Sequence, residues 1–315
     1  MKHILRYMLF VLVVISMTTT SCKTTKDAVV EVAREDAYKP LTNALLWKIE
    51  GNGLQTPSYL FGTIHLIGSD DYYLPTGTLS AIDNSEKMVF EIDMKEMGDM
   101  GAMMGLMNKA FMKDNKTLRD LISAEDYALV DAHFKKMGLP LMMLERMKPM
   151  FLTVFASGDM DPAGLQNGSM KSYEMEFLEI ANTSNKPTGG LETIEFQLSV
   201  FDSIPYTAQA EMLVETIKDE DKDSSQFDDM VQMYKNQLIN DMVSMIGDEE
   251  EQLSEYEDIL LSKRNEAWIS GMKTMMNEMP TFFAVGAGHL AGERGVIHLL
   301  RKEGYTLTPL SQTKS

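Results

Sequence analysis

Tyr59-Leu60-Phe61-Gly62-Thr63-Ile64-His65-Leu66 and, far downstream, Phe282-Phe283-Ala284-Val285-Gly286-Ala287-Gly288-His289-Leu290 read as two uses of one device. Each is an apolar run rich in aromatic and β-branched residues, as buried strands are, and each leads into Gly-x-x-His. Glycine lets the backbone turn sharply or be approached closely. The spacing therefore predicts a histidine at the carboxyl end of each strand, where open α/β sheets form their binding crevices. The chain has only five histidines, so two in matching contexts call for a joint account. Two ordinary loop histidines remain the plain alternative. A third Gly-x-x-His, Gly295-Val296-Ile297-His298, falls inside a helical pattern, so four-residue spacing alone carries little.

Working outward, Leu45 to Glu50 predicts a strand that Gly51-Asn52-Gly53 turns back toward Ser58–Ile64 as an antiparallel hairpin. Asp70 to Pro75 reads as loop, Ser80 to Ser85 as a short helix, and Lys87 to Asp93 as the next strand. In that strand Val89, Glu91 and Asp93 share a face. A solvated strand end accounts for Asp93. Glu91, deeper in an apolar run, is the better candidate for a buried ligand or acid.

From Met94 onward the pattern turns helical and crowded with methionine, an insertion placed at about residues 94–160. Ser123 with Asp126 makes an N-cap, Gly138 closes the following helix, and Tyr127, Val130, Phe134 and Met137 form its apolar stripe. His133 reads as structural. Met103, Met104 and Met107, then Met142, Met143 and Met147, fall at helical spacings, as in a lid or an ordinary core. Met170 to Ala181 predicts another helix, with Tyr173, Glu174 and Glu176. Asn182 to Gly190 reads as a turn-rich approach to Leu191-Glu192-Thr193, and Asp219 to Asp229 as an exposed acidic connector. A long helical region then runs to Met279 and includes Arg264-Asn265 beside Trp268; Gly295 to Lys302 is the last helix and Tyr305 to Leu310 the last strand. The whole predicts an α/β fold: a mixed sheet with surrounding helices and a methionine-rich helical insertion.

Residues 1–21 have the layout of a secretory signal: a basic start at Lys2, His3 and Arg6, then the apolar run Leu9 to Ile15. Cys22 follows small residues and is the only cysteine, which predicts a lipoprotein signal cleaved before it and a lipidated tether over residues 22–40. The expected location is a Gram-negative cell envelope, periplasm-facing and at the outer membrane, with membrane contact through the lipid. A lone cysteine excludes an internal disulfide. With 47 acidic against 29 basic residues and a net charge of −18, the surface does not suit nucleic acid or an anionic bilayer.

Taken together, Leu60-Phe61-Gly62-Thr63-Ile64-His65, Val89-Phe90-Glu91-Ile92-Asp93, the Tyr173–Glu176 helix, Gly190-Leu191-Glu192-Thr193, Arg264-Asn265 and Val285-Gly286-Ala287-Gly288-His289-Leu290 resemble the TraB/GumN family, which is related to the Tiki membrane proteases. The matching pieces keep the family's order from Ala44 to Leu310, within the expected domain 41–315. The resemblance implies two related halves, each offering one Gly-x-x-His, with His65, His289 and Glu91 at the motif positions. It also implies divalent-metal proteolysis of the Tiki kind. More distantly the chain resembles haem-binding ChaN-like proteins and erythromycin-esterase-like enzymes.

The leading expectation is therefore metal-assisted hydrolysis, acting on a peptide or protein. A divalent metal (zinc, manganese or cobalt) would be held by His65, His289 and Glu91, with Glu91 as ligand or base. Arg264 would hold a substrate carboxylate or oxyanion, Tyr173 and Asn265 would orient groups, and Glu192 is a reserve carboxylate. A buried Arg264–Glu192 ion pair is the structural alternative for those two. No His-Glu-x-x-His helix, cysteine cluster or Gly-x-Ser-x-Gly is present, so any site is assembled across the fold. Two other readings stay open: a metal-independent hydrolase using His and Glu as acid and base, and an envelope lipoprotein that binds haem, metal or a partner.

Overall fold

Strand β1 (Leu46–Gly51) and strand β2 (Ser58–Thr63) form the expected antiparallel hairpin, with Leu46 opposite Phe61 and Ile49 opposite Ser58. Asn52 and Gly53 turn it with positive φ, 47° and 87°. All six residues of β2 are buried, because the strand lies inside the sheet and is covered on both faces. The computed structural model describes residues 38–95, 109–156, 162–220, 225–248 and 256–310. The signal, Cys22 and nearly all of the tether lie outside them, as do Met103, Met104 and Met107.

The remaining elements follow in order: β3 (Ile67–Gly68), α1 (Thr78–Asp83), β4 (Lys87–Ile92), α2 (Ala124–Lys136), α3 (Leu141–Leu144), α4 (Pro149–Ala156), α5 (Pro162–Asn167), β5 (Met170–Lys171), α6 (Tyr173–Thr183), β6 (Thr188–Glu192), α7 (Ile194–Phe201), α8 (Tyr206–Glu220), α9 (Ser225–Lys235), α10 (Ile239–Asp248), α11 (Lys263–Glu278), β7 (Thr281–Gly286), α12 (Val296–Lys302) and β8 (Tyr305–Pro309). The sheet has six strands in the order β6-β4-β7-β2-β1-β8. Its first four strands are mutually parallel, and β1 and β8 complete it in antiparallel pairing. It is the mixed sheet that the strand pattern predicts.

Helices cover the sheet by burying one stripe each. Phe177 and Ala181 of α6, Tyr234 of α9, Ile239 of α10, Trp268, Met272 and Met276 of α11, and Ile297 and Leu300 of α12 join Leu60, Phe61, Phe282 and Phe283 in one core. Phe61 meets Phe177 edge-on at 5.1 Å between ring centroids, a favoured aromatic geometry. A second core forms where α2, α3 and α4 pack on α8, through Val130, Phe134, Leu141, Leu152, Leu213 and Ile217. Ser123 caps α2 by accepting from Asp126 N, and Gly138 follows with φ 76°.

Several readings are corrected. Thr188–Glu192 is a strand and not a loop; its two glycines conceal it. A Cβ on Gly190 would lie 2.5 Å from Asp93 N and 2.9 Å from Ile92 C, so only glycine lets β6 lie this close to β4. Much of the supposed acidic connector belongs to α8 and α9, and the long helical region is divided into α9, α10 and α11. Met142 and Met143 are each 74% exposed and contribute to neither core. The matching Gly-x-x-His strands, β2 and β7, are parallel neighbours in the one mixed sheet.

Candidate active site

The parallel strands deliver their carboxyl ends to one edge. Thr63 of β2 is in register with Gly286 of β7, Phe90 of β4 with Ala284 of β7, and Ile92 of β4 with Glu192 of β6. That register sets Glu192, Glu91, the Gly286–His289 turn and His65 along successive strand ends, the place where α/β sheets hold ligands. After Gly286 the chain enters a 3-10 turn, Ala287–His289, which brings His289 back into the interior with 4% exposure.

The first turns of α11 supply the rest. A π-helical turn, Asp258–Ser262, precedes α11, and Leu260 O accepts from Arg264 Nη1 at 3.0 Å. Such turns redirect side chains and recur at functional sites. Arg264 Nη2 donates to Glu91 Oε2 at 2.5 Å and to Glu192 Oε1 at 2.7 Å, while Nε donates to both Glu192 oxygens at 3.1 and 3.2 Å. Trp268, one turn along the same helix face, donates Nε1–H to Glu192 Oε2 at 2.9 Å. Glu91 is held by further donors: Gly286 N–H at 2.8 Å on Oε1 and Gln197 Nε2 at 3.3 Å on Oε2.

Hydrogen bonding fixes the state of His289. Asn265 Nδ2 donates to Arg294 O at 3.0 Å, which leaves Asn265 Oδ1 facing His289 Nδ1 at 2.6 Å. An amide oxygen only accepts, so Nδ1 carries the proton and Nε2 presents a lone pair. Arg264 Nη1 donates to that Nε2 at 3.2 Å, and Glu91 Oε1 lies 3.6 Å from it. Burial lowers the imidazole pKa to about 4, against the pull of Glu91 and with the push of Arg264 and His65. Burial alone would raise Glu91, but His289, Arg264, His65 and the Gly286 N–H outweigh it and hold the carboxyl at about 2. Burial disfavours the Arg264 charge, yet Glu91 and Glu192 raise its pKa further.

Of the expected site residues, Glu91, Glu192, Arg264, Asn265 and His289 thus form one buried network. His65 lies at the neighbouring strand end, close enough for its charge to act on both Glu91 and His289; its side chain is 65% exposed, with Nδ1 3.8 Å from Glu174 Oε1. Tyr173 is placed differently. It is fully buried against Phe61, Phe177 and Tyr234, and its hydroxyl donates to Tyr73 O at 2.6 Å. Burial pushes its pKa up to about 12. Trp268, Gln197 and Glu174 were given no site role from sequence. Two of them carried a signal: Trp268 lies four residues after Arg264, and Glu174 lies within the Tyr173–Glu176 segment.

The donor set bears directly on a metal. Neutral His289 Nε2 and ionised Glu91 Oε1 have the chemistry of ligands, and Asn265 Oδ1 fixes the imidazole tautomer from behind. Among the described residues no three His, Cys, Asp or Glu side chains converge as a metal-holding group. Arg264 instead spans His289 Nε2 and Glu91.

Sequence comparison finds distant relatives of this chain. The chain is 22% identical to Metalloprotease TIKI1 of Danio rerio, over 86% of its own length and 64% of that protein. It is 22% identical to Metalloprotease TIKI1 of Homo sapiens (84% and 61%) and 23% identical to Metalloprotease TIKI2 of Xenopus tropicalis (86% and 61%). The chain thus spans less than two thirds of the length of these relatives. No solved structure matches. The model of the TraB/PrgY/gumN family matches residues 45–309, from the start of β1 to the end of β8, and the chain belongs to that family.

Proposed function

We propose that this protein is a peptide-bond hydrolase whose two strand–Gly-x-x-His arms act as halves of one site, with a divalent ion held by His65, His289 and Glu91. The observation that carries the reading is the tautomer-fixed, neutral His289 Nε2 facing an ionised Glu91 at the edge where parallel β2 and β7 end. The distant relatives that carry the name metalloprotease support the reaction class. When bound, such an ion supplies a Lewis acid that activates water and polarises a carbonyl. Glu91, with a pKa near 2, is a poor proton acceptor at neutral pH and serves as an anchor of negative charge. Glu192 keeps Arg264 oriented, and with all five N–H groups engaged by Glu192, Glu91, His289 and Leu260 O, the guanidinium would meet a substrate carboxylate or developing oxyanion only by exchanging one of these partners.

The guanidinium on His289 Nε2 competes with a metal for that lone pair, and a second reading is hydrolysis without metal in which His65 is the general base. One experiment separates the two. Purified untagged protein is stripped of metal, its metal content is measured, and peptide turnover is followed before and after return of zinc, manganese or cobalt. The metal reading expects turnover only after return, with losses of about 10²–10⁴-fold in His65→Ala, His289→Ala and Glu91→Gln that keep their fold. Full turnover in verified metal-free protein would sink it. The envelope location is part of the same proposal: a lipid label should enter the wild type and not Cys22→Ala, and equal labelling counts against the anchor.

A further inference from the structure

We propose that Glu174 is the positioning residue of His65, holding its ring with Nδ1 turned away and Nε2 presented to the strand edge. The inference rests on the reading of His65 as a site residue. Glu174 lies in the first turn of α6, where the helix N-terminus favours a carboxylate. Its side chain is 17% exposed. Oε1 accepts from Thr63 Oγ at 2.7 Å and Oε2 from Ser172 Oγ at 2.9 Å. Thr63 is the last residue of β2, the strand that leads to His65, and Ser172 caps α6. The strand and the helix therefore fix the carboxylate together, independently of the imidazole. His65 Nδ1 stands 3.8 Å from Oε1. This is longer than a hydrogen bond, as catalytic contacts often are before substrate binds.

A carboxylate only accepts, so the nitrogen turned toward it carries the proton and the other keeps its lone pair. Asn265 imposes the same tautomer on His289. Both Gly-x-x-His histidines then offer Nε2, one backed by a neutral amide and the other by a carboxylate. The carboxylate makes its imidazole the stronger donor, since such partners raise the basicity of a histidine ligand. A purely structural Glu174 would tie β2 to α6 and have no effect on the His65 ring.

The test reads the ring directly, in metal-free protein. Nitrogen–proton correlation spectra at pH 8 report the tautomer of each histidine, with His65→Ala identifying the His65 signal. The wild type should show His65 in the Nδ1–H form. Glu174→Met keeps the side chain's length but removes the acceptor, and should shift His65 toward the Nε2–H form while leaving His289 unchanged. Glu174→Gln retains an acceptor and should restore the wild-type form. Zinc affinity of Glu174→Met should fall about 10–100-fold. An unchanged His65 tautomer in folded Glu174→Met overturns the proposal, whatever zinc or peptides do. A shifted tautomer with unchanged zinc affinity supports the positioning role and counts against the metal reading. If Glu174→Met does not fold, Glu174→Ala carries the same comparison.

Discussion

Arg264 sets one guanidinium against two carboxylates and an imidazole, all within a few ångströms and away from water. Removing one partner of a buried ion pair leaves the others uncompensated, at a cost of about 3–5 kcal/mol. Arg264→Met should therefore lower unfolding free energy by about that amount in denaturant titrations, and the pH dependence should change sign. In the wild type, Glu91 and His289 have folded pKa values depressed to about 2 and about 4. The unfolded chain then binds more protons, so stability falls as pH drops from about 6.5 toward 2. In Arg264→Met, burial of Glu91 loses its opposing guanidinium and the carboxyl holds its proton more tightly when folded, so the deficit should shrink on acidification through the carboxylate range. A deficit below about 1 kcal/mol, or one that grows toward low pH, would show that the guanidinium is not the balancing charge.

Among the elements, β6 shows how a site can be hidden by the residues that build it. Gly190 brings β6 close enough to β4 for Glu192 to share Arg264 with Glu91. Gly190→Ala must push two backbones apart and should cost about 1–3 kcal/mol. Gly189→Ala meets only the flexible end of Lys87, at 3.2 Å, and should cost within about 0.5 kcal/mol. Equal effects in thermal melts would remove the close-approach argument. β2, β7 and β4 were legible because apolar runs buried on both faces need no long-range information. The cap of α2 was legible because its chemistry is local to Ser123 and Asp126. Thr188-Gly-Gly-Leu-Glu192 was not, because its glycines answer to a neighbouring strand distant in sequence. A buried Arg264–Glu192 pair was among the readings open to sequence, but the second carboxylate, Glu91, and the imidazole on the same guanidinium were not. Glu91 and His289 could be named from the strand pattern, but their shared hydrogen bonds depend on Arg264, Asn265 and Gln197 arriving from other elements.

For the molecule as a whole, the sheet is completed out of chain order. β7, near the carboxyl end of the sequence, lies between β4 and β2, both supplied much earlier. Pairings of such long separation form slowly, because the intervening chain must first be ordered. A chain ending at Glu278 should keep helical signal yet lose cooperative unfolding, and adding residues 279–315 as a separate peptide should restore it. A sharp transition in the shortened chain alone would contradict this view. The consequence concerns timing. A chain made from its amino end keeps a vacant lane through the middle of the sheet until β7 is delivered, and His289 arrives only with that strand. Until then His65 and Glu91 lack His289, so the candidate centre is the last part of the sheet edge to be completed.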